Sequence, residues 1–280
     1  MRTSTIWYCL HMKYFDAHCH IQFDAYDADR EELIASMVEQ EVGGLVVGVD
    51  YASSQKAITL AEQHDSLFAS VGLHPNDTHL EVFDADAFRA LAMHPKVLAI
   101  GECGLDNFRP ADPDATKAKQ REVFEQHVQL AIEADKPLMI HSRPTKGTQD
   151  AYIDLIDILG SYKREHGERL RGDIHFFVGG IEEARKLVAL DFTLSYTAVL
   201  TFARDYDEAV RFIPPTHLLS ETDSPYVAPP PNRGSRNDPR AVKAVVQAIA
   251  DIRAEDPETI RLQILENAGR VFGPALRDLK

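Results

Sequence analysis

Short apolar runs alternate with longer stretches in which apolar residues recur every three to four positions, and the alternation continues from Lys13 to about residue 270. The first kind is the pattern of buried strands and the second that of amphipathic helices. Strands are predicted at Lys13–His18, Gly44–Val49, Leu67–Leu73, Val97–Gly101, Pro137–His141, Asp173–Phe177, Phe192–Tyr196 and His217–Glu221. Helices are predicted over 30–40, 52–65, 84–93, 116–135, 148–165, 181–190, 204–212, 239–253 and 257–270. Strands alternating with helices imply a parallel sheet with crossover helices. Eight such strands predict a closed barrel, an α/β fold of the (β/α)8 TIM type.

Length and composition place that barrel in one unit. A chain of 280 residues with 44% hydrophobic content buries a single large core. No repeat or linker-like shift in composition divides it, so 13–280 is expected to be a single domain after an extension or disordered segment over 1–12. The opening "MRTSTIWYCLHMKYF" is interrupted by His11 and Lys13, which makes it a poor signal peptide, and Met12 offers an alternative start. No run reaches the roughly 18 apolar residues of a membrane-crossing helix. Cys9, Cys19 and Cys103 are odd in number and far apart, a usage that fits a reducing cytoplasm better than a disulfide framework. The net charge of −14 argues against a protein that coats long nucleic acid, though not against local contact with phosphates.

The chemistry begins with "FDAHCHIQF", Phe15 to Phe23. Successive side chains of a strand point to opposite faces, so His18 and His20 share one face and aim two imidazoles at one point. Glu102 follows the fourth predicted strand and His141 ends the fifth. His175 lies in the sixth, and Asp223 follows the eighth. In a β/α barrel the carboxyl ends of the strands carry the active site, so these six residues are expected to converge. Clusters of His, Asp and Glu mark metal or catalytic centres, and this mixed set suits Zn, Mn or Mg. Asp223, at the mouth of such a site, is the candidate general base and would take the proton of an attacking water.

Further blocks carry a resemblance. "FDAHCH", "VGLHP", "GECGLD", "IHSR", "IHFFVGG", "SETDSPY", "PNRGSRNDP" and "ENAGRVF", in that order from Phe15 to Phe272, resemble the TatD family of metal-dependent hydrolases within the amidohydrolase superfamily. The resemblance implies a somewhat distorted β/α barrel with two divalent ions, and deoxyribonuclease activity that in several members trims DNA ends. It further implies that His18, His20 and Asp223 hold one ion, that His141 and His175 hold the second, and that Glu102 bridges. Four positions depart from the family pattern and are expected on the substrate face: Gln22, Asn76, Asn107 and Pro144.

Other residues are candidates for the surroundings of the site. His74 in "GLHP" is either a contact to substrate or bound water, or a turn histidine ahead of Pro75. Arg143 is a candidate fork for a phosphate, and Arg233, Arg236 and Arg240 make a basic loop after the last predicted strand, with Arg236 a second candidate phosphate contact. Glu221, Thr222 and Asp106 are expected to orient ligands. Cys103 is read as packing, and His64, His79, His94, His127 and His166 as surface residues. The stretch 146–171 is long enough to reshape a pocket or an oligomer contact. The leading expectation is a two-metal phosphodiesterase acting 3′ to 5′ on DNA ends, with no membrane and no obligate protein partner. A hydrolase of a small lactone, amide or ester and a non-catalytic metal-stabilised scaffold are the alternatives.

Overall fold

The alternation of strand and helix holds throughout residues 12–108, 113–273 and 276, which the structure, a computed structural model, describes. In chain order the elements are β1 (Tyr14–Cys19), α1 (Arg30–Glu39), β2 (Val42–Val47), α2 (Tyr51–Gln63), β3 (Leu67–Val71), α3 (Ala85–Ala92), β4 (Val97–Asp106), α4 (Pro113–Ala134) and β5 (Leu138–Arg143). There follow α5 (Asp150–His166), β6 (Gly172–Ile174), α6 (Ile181–Ala189), β7 (Thr193–Tyr196), α7 (Asp207–Phe212), β8 (Leu218–Ser220), α8 (Val242–Arg253) and α9 (Pro257–Phe272). The eight strands are parallel and lie in sequence order, each paired with the next.

The seam between β8 and β1 is made by side chains and loop backbone more than by a ladder. Asp223 N–H donates to His18 O at 2.9 Å, and His20 N–H to Ser224 O at 2.8 Å. Asp16, fully buried, accepts from the Thr222 N–H at 2.8 Å and the Thr222 hydroxyl at 2.5 Å. Burial outweighs these bonds and pushes the Asp16 carboxyl well up, while the bonds satisfy oxygens that would be costly to bury bare. These bonds set the segment after β8, and with it Asp223, against the end of β1.

The outer helices show why their sequences face inward where they do. α8 buries Val242, Val245, Val246, Ile249 and Ile252, and α9 buries Ile260, Ile264, Ala268 and Val271, both at the spacing of one helical face. Asp256 caps α9 by accepting from Thr259 N–H, and Pro257 at the first helical position lacks the N–H that a helix start cannot use. Truncating Ile249 to Ala would cost about 2–5 kcal/mol.

Five local features differ from expectation. β4 runs ten residues, through Asp106, not the five of Val97–Gly101. Gly101 and Gly104 sit at φ +144° and +138°, and a Cβ on either would lie about 2 Å from a backbone oxygen of β5, so glycine lets the strand continue beside its neighbour. β6 is cut to three residues because Phe176 turns to φ +47° and gives its N–H to Glu221. Helix α7 begins at Asp207, three residues later than predicted. His127, expected on the surface, is fully buried: its Nδ1 donates to Val123 O at 2.8 Å and its Nε2 accepts from Leu73 N–H at 3.0 Å. Met12 is also buried, so the expected extension can cover at most 1–11, which lie outside the described residues together with Cys9.

Candidate metal centre

The carboxyl ends of the strands bring six of the predicted residues together around Glu102. His18 and His20, one face of β1 and its continuation, place their Nε2 atoms 3.1 Å apart. His20 Nδ1 lies 2.8 Å from the carbonyl of Val47 in β2. A carbonyl only accepts, so Nδ1 carries the hydrogen and the lone pair of Nε2 faces inward. Glu102 Oε2 stands 3.3 Å from His18 Nε2 and 3.8 Å from His20 Nε2, while Asp223 Oδ1 is 3.5 Å from His20 Nε2.

The other oxygen of the same carboxylate faces a different set. Glu102 Oε1 is 3.1 Å from His141 Nδ1, 3.3 Å from His175 Nε2 and 3.4 Å from His74 Nε2. Asp106 takes the outer nitrogen of His141 at 3.2 Å, and Glu221 takes that of His175 at 3.3 Å. Each leaves an inward lone pair. His74 is arranged the other way. Its Nδ1 accepts the Asn76 N–H at 3.1 Å, so its neutral ring carries a proton on Nε2 and donates toward Glu102.

The electrostatics follow from packing five imidazoles around buried carboxylates. Burial acts against ionised Glu102, but His74, His18, His175 and His141 together hold its carboxyl well below the usual range. Burial likewise opposes ionisation of Asp223 and Asp106, and the neighbouring histidines again outweigh it, taking Asp106 to about 2. Against the pull of burial, Asp223 and Glu102 lift His20, Asp106 and Glu102 lift His141, and Glu221 and Glu102 lift His175. His18 goes down, chiefly because it is buried, and is neutral. The ionised carboxylates and neutral His18 are in the forms that bind divalent ions, and His20, His141 and His175 would give up their protons to a bound ion.

The donor set fits such ions. His18, His20 and Glu102 present ligand atoms all within 4.8 Å of one another, and Glu102 and His141 do so beside His74, whose ring serves there as a donor. Inward lone pairs beside carboxylate oxygens have nothing to accept from unless a cation or proton lies between them. The set is mixed N and O, with no thiolate, as Zn, Mn or Mg sites are.

The predicted supporting residues divide. Glu221 receives His175 and the Phe176 N–H, Asp106 receives His141 and Asn76, and Thr222 binds Asp16. His74, Asn76, Arg143 and Pro144 line a cavity of about 1250 Å³ whose floor includes His20, Glu102, His141, His175 and Asp223. Lys146 to Gln149, the start of the long 146–171 stretch, line it as well. Gln22 and Asn107 do not, and Gln22 instead donates to Val47 O at 2.7 Å beside His20.

Arg236, read from the sequence as a phosphate contact, is engaged elsewhere. Its guanidinium forks onto both oxygens of Asp29, donates to Ala25 O at 2.7 Å and covers the ring of Tyr26. Arg240 pairs with Asp238, and Arg233 lies over Phe202. Arg143 is exposed, rests on Phe108 at 4.0 Å and has no carboxylate partner among the described residues. Cys103 is buried, its sulfur 3.7 Å from Met139 O, as packing requires.

Two buried acids were missed from the sequence. Asp16 lies two residues before His18 on the same strand face, a signal that period-2 alternation offered. Asp173, two before His175, is fully buried and receives the Ser195 hydroxyl at 2.6 Å, and burial and then Glu221 push its carboxyl up to about 7.

The family model described as TatD related DNase matches residues 15–273. An uncharacterized metal-dependent hydrolase of Bacillus subtilis, YabD, is 37% identical and aligns over 92% of this chain and 98% of its own. One named TatD from Mycobacterium tuberculosis, also described as an uncharacterized metal-dependent hydrolase, is 35% identical over 92% of this chain and 97% of its own. The crystal structure of YJJV, a TatD homologue from Escherichia coli K12, superposes with a TM-score of 0.82 at 25% identity, covering 93% of this chain and 98% of that one.

Proposed function

The chain belongs to the TatD-related DNase family and is a metal-dependent hydrolase, and from that premise we propose that it cleaves phosphodiester bonds at DNA ends with two divalent ions shared across Glu102. The observation that carries this is the division of Glu102: Oε2 faces His18 and His20, and Oε1 faces His141 and His175. One ion would be held by His18, His20 and Asp223, the other by His141 and His175. When bound, such a pair supplies Lewis acidity toward the phosphoryl oxygens and lowers the pKa of the attacking water.

The chain's own groups do the remainder. Asp223, held ionised by the histidines around it, takes the proton of the water as the water attacks phosphorus. His74, whose Nε2–H faces Glu102, would turn that hydrogen to a phosphoryl oxygen when substrate is bound. Arg143, without a carboxylate partner among the described residues and backed by Phe108, presents its planar fork to a phosphate. Phe176 and Tyr226 on the cavity wall give an unpaired base a face to stack on, a contact that tolerates any sequence.

The test is a substrate panel with metal supplied: single-stranded DNA labelled at either end, RNA, a model phosphodiester, and lactone and amide substrates. Release of nucleotides from DNA ends, abolished by EDTA and restored by Mn or Mg, is expected. Asp223→Asn should lower turnover 10²-fold or more while the protein stays folded. Hydrolysis of the lactone or amide with none of the phosphodiesters would replace this reading with that of a small-substrate hydrolase.

A further inference from the structure

Seven non-glycine residues among those described have positive φ. Glu41, Asp135, Asp191 and Ala254 follow the ends of α1, α4, α6 and α8, where a left-handed residue commonly closes the helix. Phe176, Asp223 and Val227 line the cavity instead. Val227, at φ +54°, is β-branched, the side-chain class for which this region is a genuine outlier. Such a conformation persists only where its surroundings impose it.

The imposing residue is Asn237, fourteen positions past Asp223 and 3% exposed. Its side-chain nitrogen reaches two carbonyls, Thr222 O at 3.3 Å and Val227 O at 3.4 Å. Its backbone N–H donates to Pro225 O at 2.9 Å, and its carbonyl accepts the Tyr26 hydroxyl at 2.6 Å. One residue thus holds both ends and the middle of the turn Thr222–Val227. Within that turn Asp223 donates its N–H to His18 O, and Tyr226 donates to Asp223 O, both at 2.9 Å. A carboxamide suits this place because two carbonyls require two hydrogens on one nitrogen. Aspartate supplies none and a hydroxyl supplies one.

We infer that Asn237 is the positioning residue for Asp223, fixing the turn that aims its carboxylate at His20 and the centre. The inference rests on the proposed role of Asp223 as a ligand, but not on which substrate the enzyme cleaves. It also gives the "NRGSRNDP" loop a task at the centre that its arginines do not have, since Arg236 is paired with Asp29 and Arg233 lies over Phe202.

Asn237→Asp keeps the shape and sets a carboxylate against the two carbonyls. Calorimetric titration of the full chain with Mn reads the effect without any substrate. Affinity is expected to fall 10–100-fold, the usual cost of losing a group that orients a ligand, with the thermal midpoint of the metal-free protein shifted by only a few degrees. In an Asp223→Asn background the same change should weaken Mn less than twofold further, because the carboxylate it positions is gone. Unchanged affinity in Asn237→Asp, or losses that multiply in the double variant, would overturn the inference. If Asn237→Asp does not fold, Asn237→Ala is read by the same criteria. Failure of both to fold would assign Asn237 to the fold as a whole and also overturn it. A protein that binds Mn as expected but cleaves no DNA would leave this inference standing and remove only the substrate reading.

Discussion

Asn76 donates its backbone N–H to Nδ1 of His74 at 3.1 Å, and that bond separates His74 from the histidines beside it. With Nδ1 accepting, Nε2 keeps its hydrogen and acts as a donor 3.4 Å from Glu102. His74→Ala should therefore lower turnover at least tenfold while the Mn content by elemental analysis stays at the wild-type level. His141→Ala, which removes an inward lone pair, should lower the metal content itself. Equal metal loss in the two variants would make His74 a ligand.

Glu221 holds the outer nitrogen of His175 and the N–H of Phe176 with one buried carboxylate. Glu221→Gln keeps the volume but removes the charge that raises His175. Mn affinity is expected to drop 10–100-fold, as for other groups that orient a metal-binding histidine. An unchanged titration would show that His175 needs no such support.

Arg143 and Arg236 give opposite expectations from the same residue type. Arg143→Ala should raise KM for DNA ends about tenfold or more, the order for losing a charged fork on phosphate, and leave hydrolysis of a small neutral ester unchanged. Arg236→Ala should leave both within twofold, since its guanidinium serves Asp29 and Ala25. Steady-state kinetics of the two variants side by side decide the matter.

Away from the centre, His127 makes folding sensitive to acid. Burial lowers its pKa to about 4, against an unfolded value near 6.5. Below pH 6.5 the unfolded chain binds a proton that the folded one refuses, so this contribution is full above 6.5 and lost as pH falls through 4. The loss amounts to about 3 kcal/mol by linkage. Urea unfolding of EDTA-treated protein at pH 7 and pH 4.5 should show a smaller acid loss in His127→Gln than in wild type. The same pH dependence in both would place the acid sensitivity elsewhere.

How far the sequence could be read depended on whether the deciding contact was local. The eight strands and the convergence of His18, His20, Glu102, His141, His175 and Asp223 were legible because strand alternation and barrel topology are local rules repeated along the chain. The length of β4 was not, because only the approach of β5 shows that Gly101 and Gly104 serve continuation instead of a break. The truncation of β6 depends on Glu221, forty-five residues away from Phe176. Arg236 looked like a free cation because its partner Asp29 lies 207 residues earlier. His127 was within reach: Val123, Phe124, His127, Val128 and Ala131 fall on one helical face, and all are buried.

Central to the account is one carboxylate serving two cations. The direct measurement is anomalous diffraction at the Mn edge from crystals soaked in MnCl2. Two peaks about 3.5–4 Å apart, the spacing of two-metal hydrolases, are predicted on either side of Glu102, one beside His18 and His20 and the other beside His141 and His175. A single peak, or a pair that Glu102 does not separate, would contradict it.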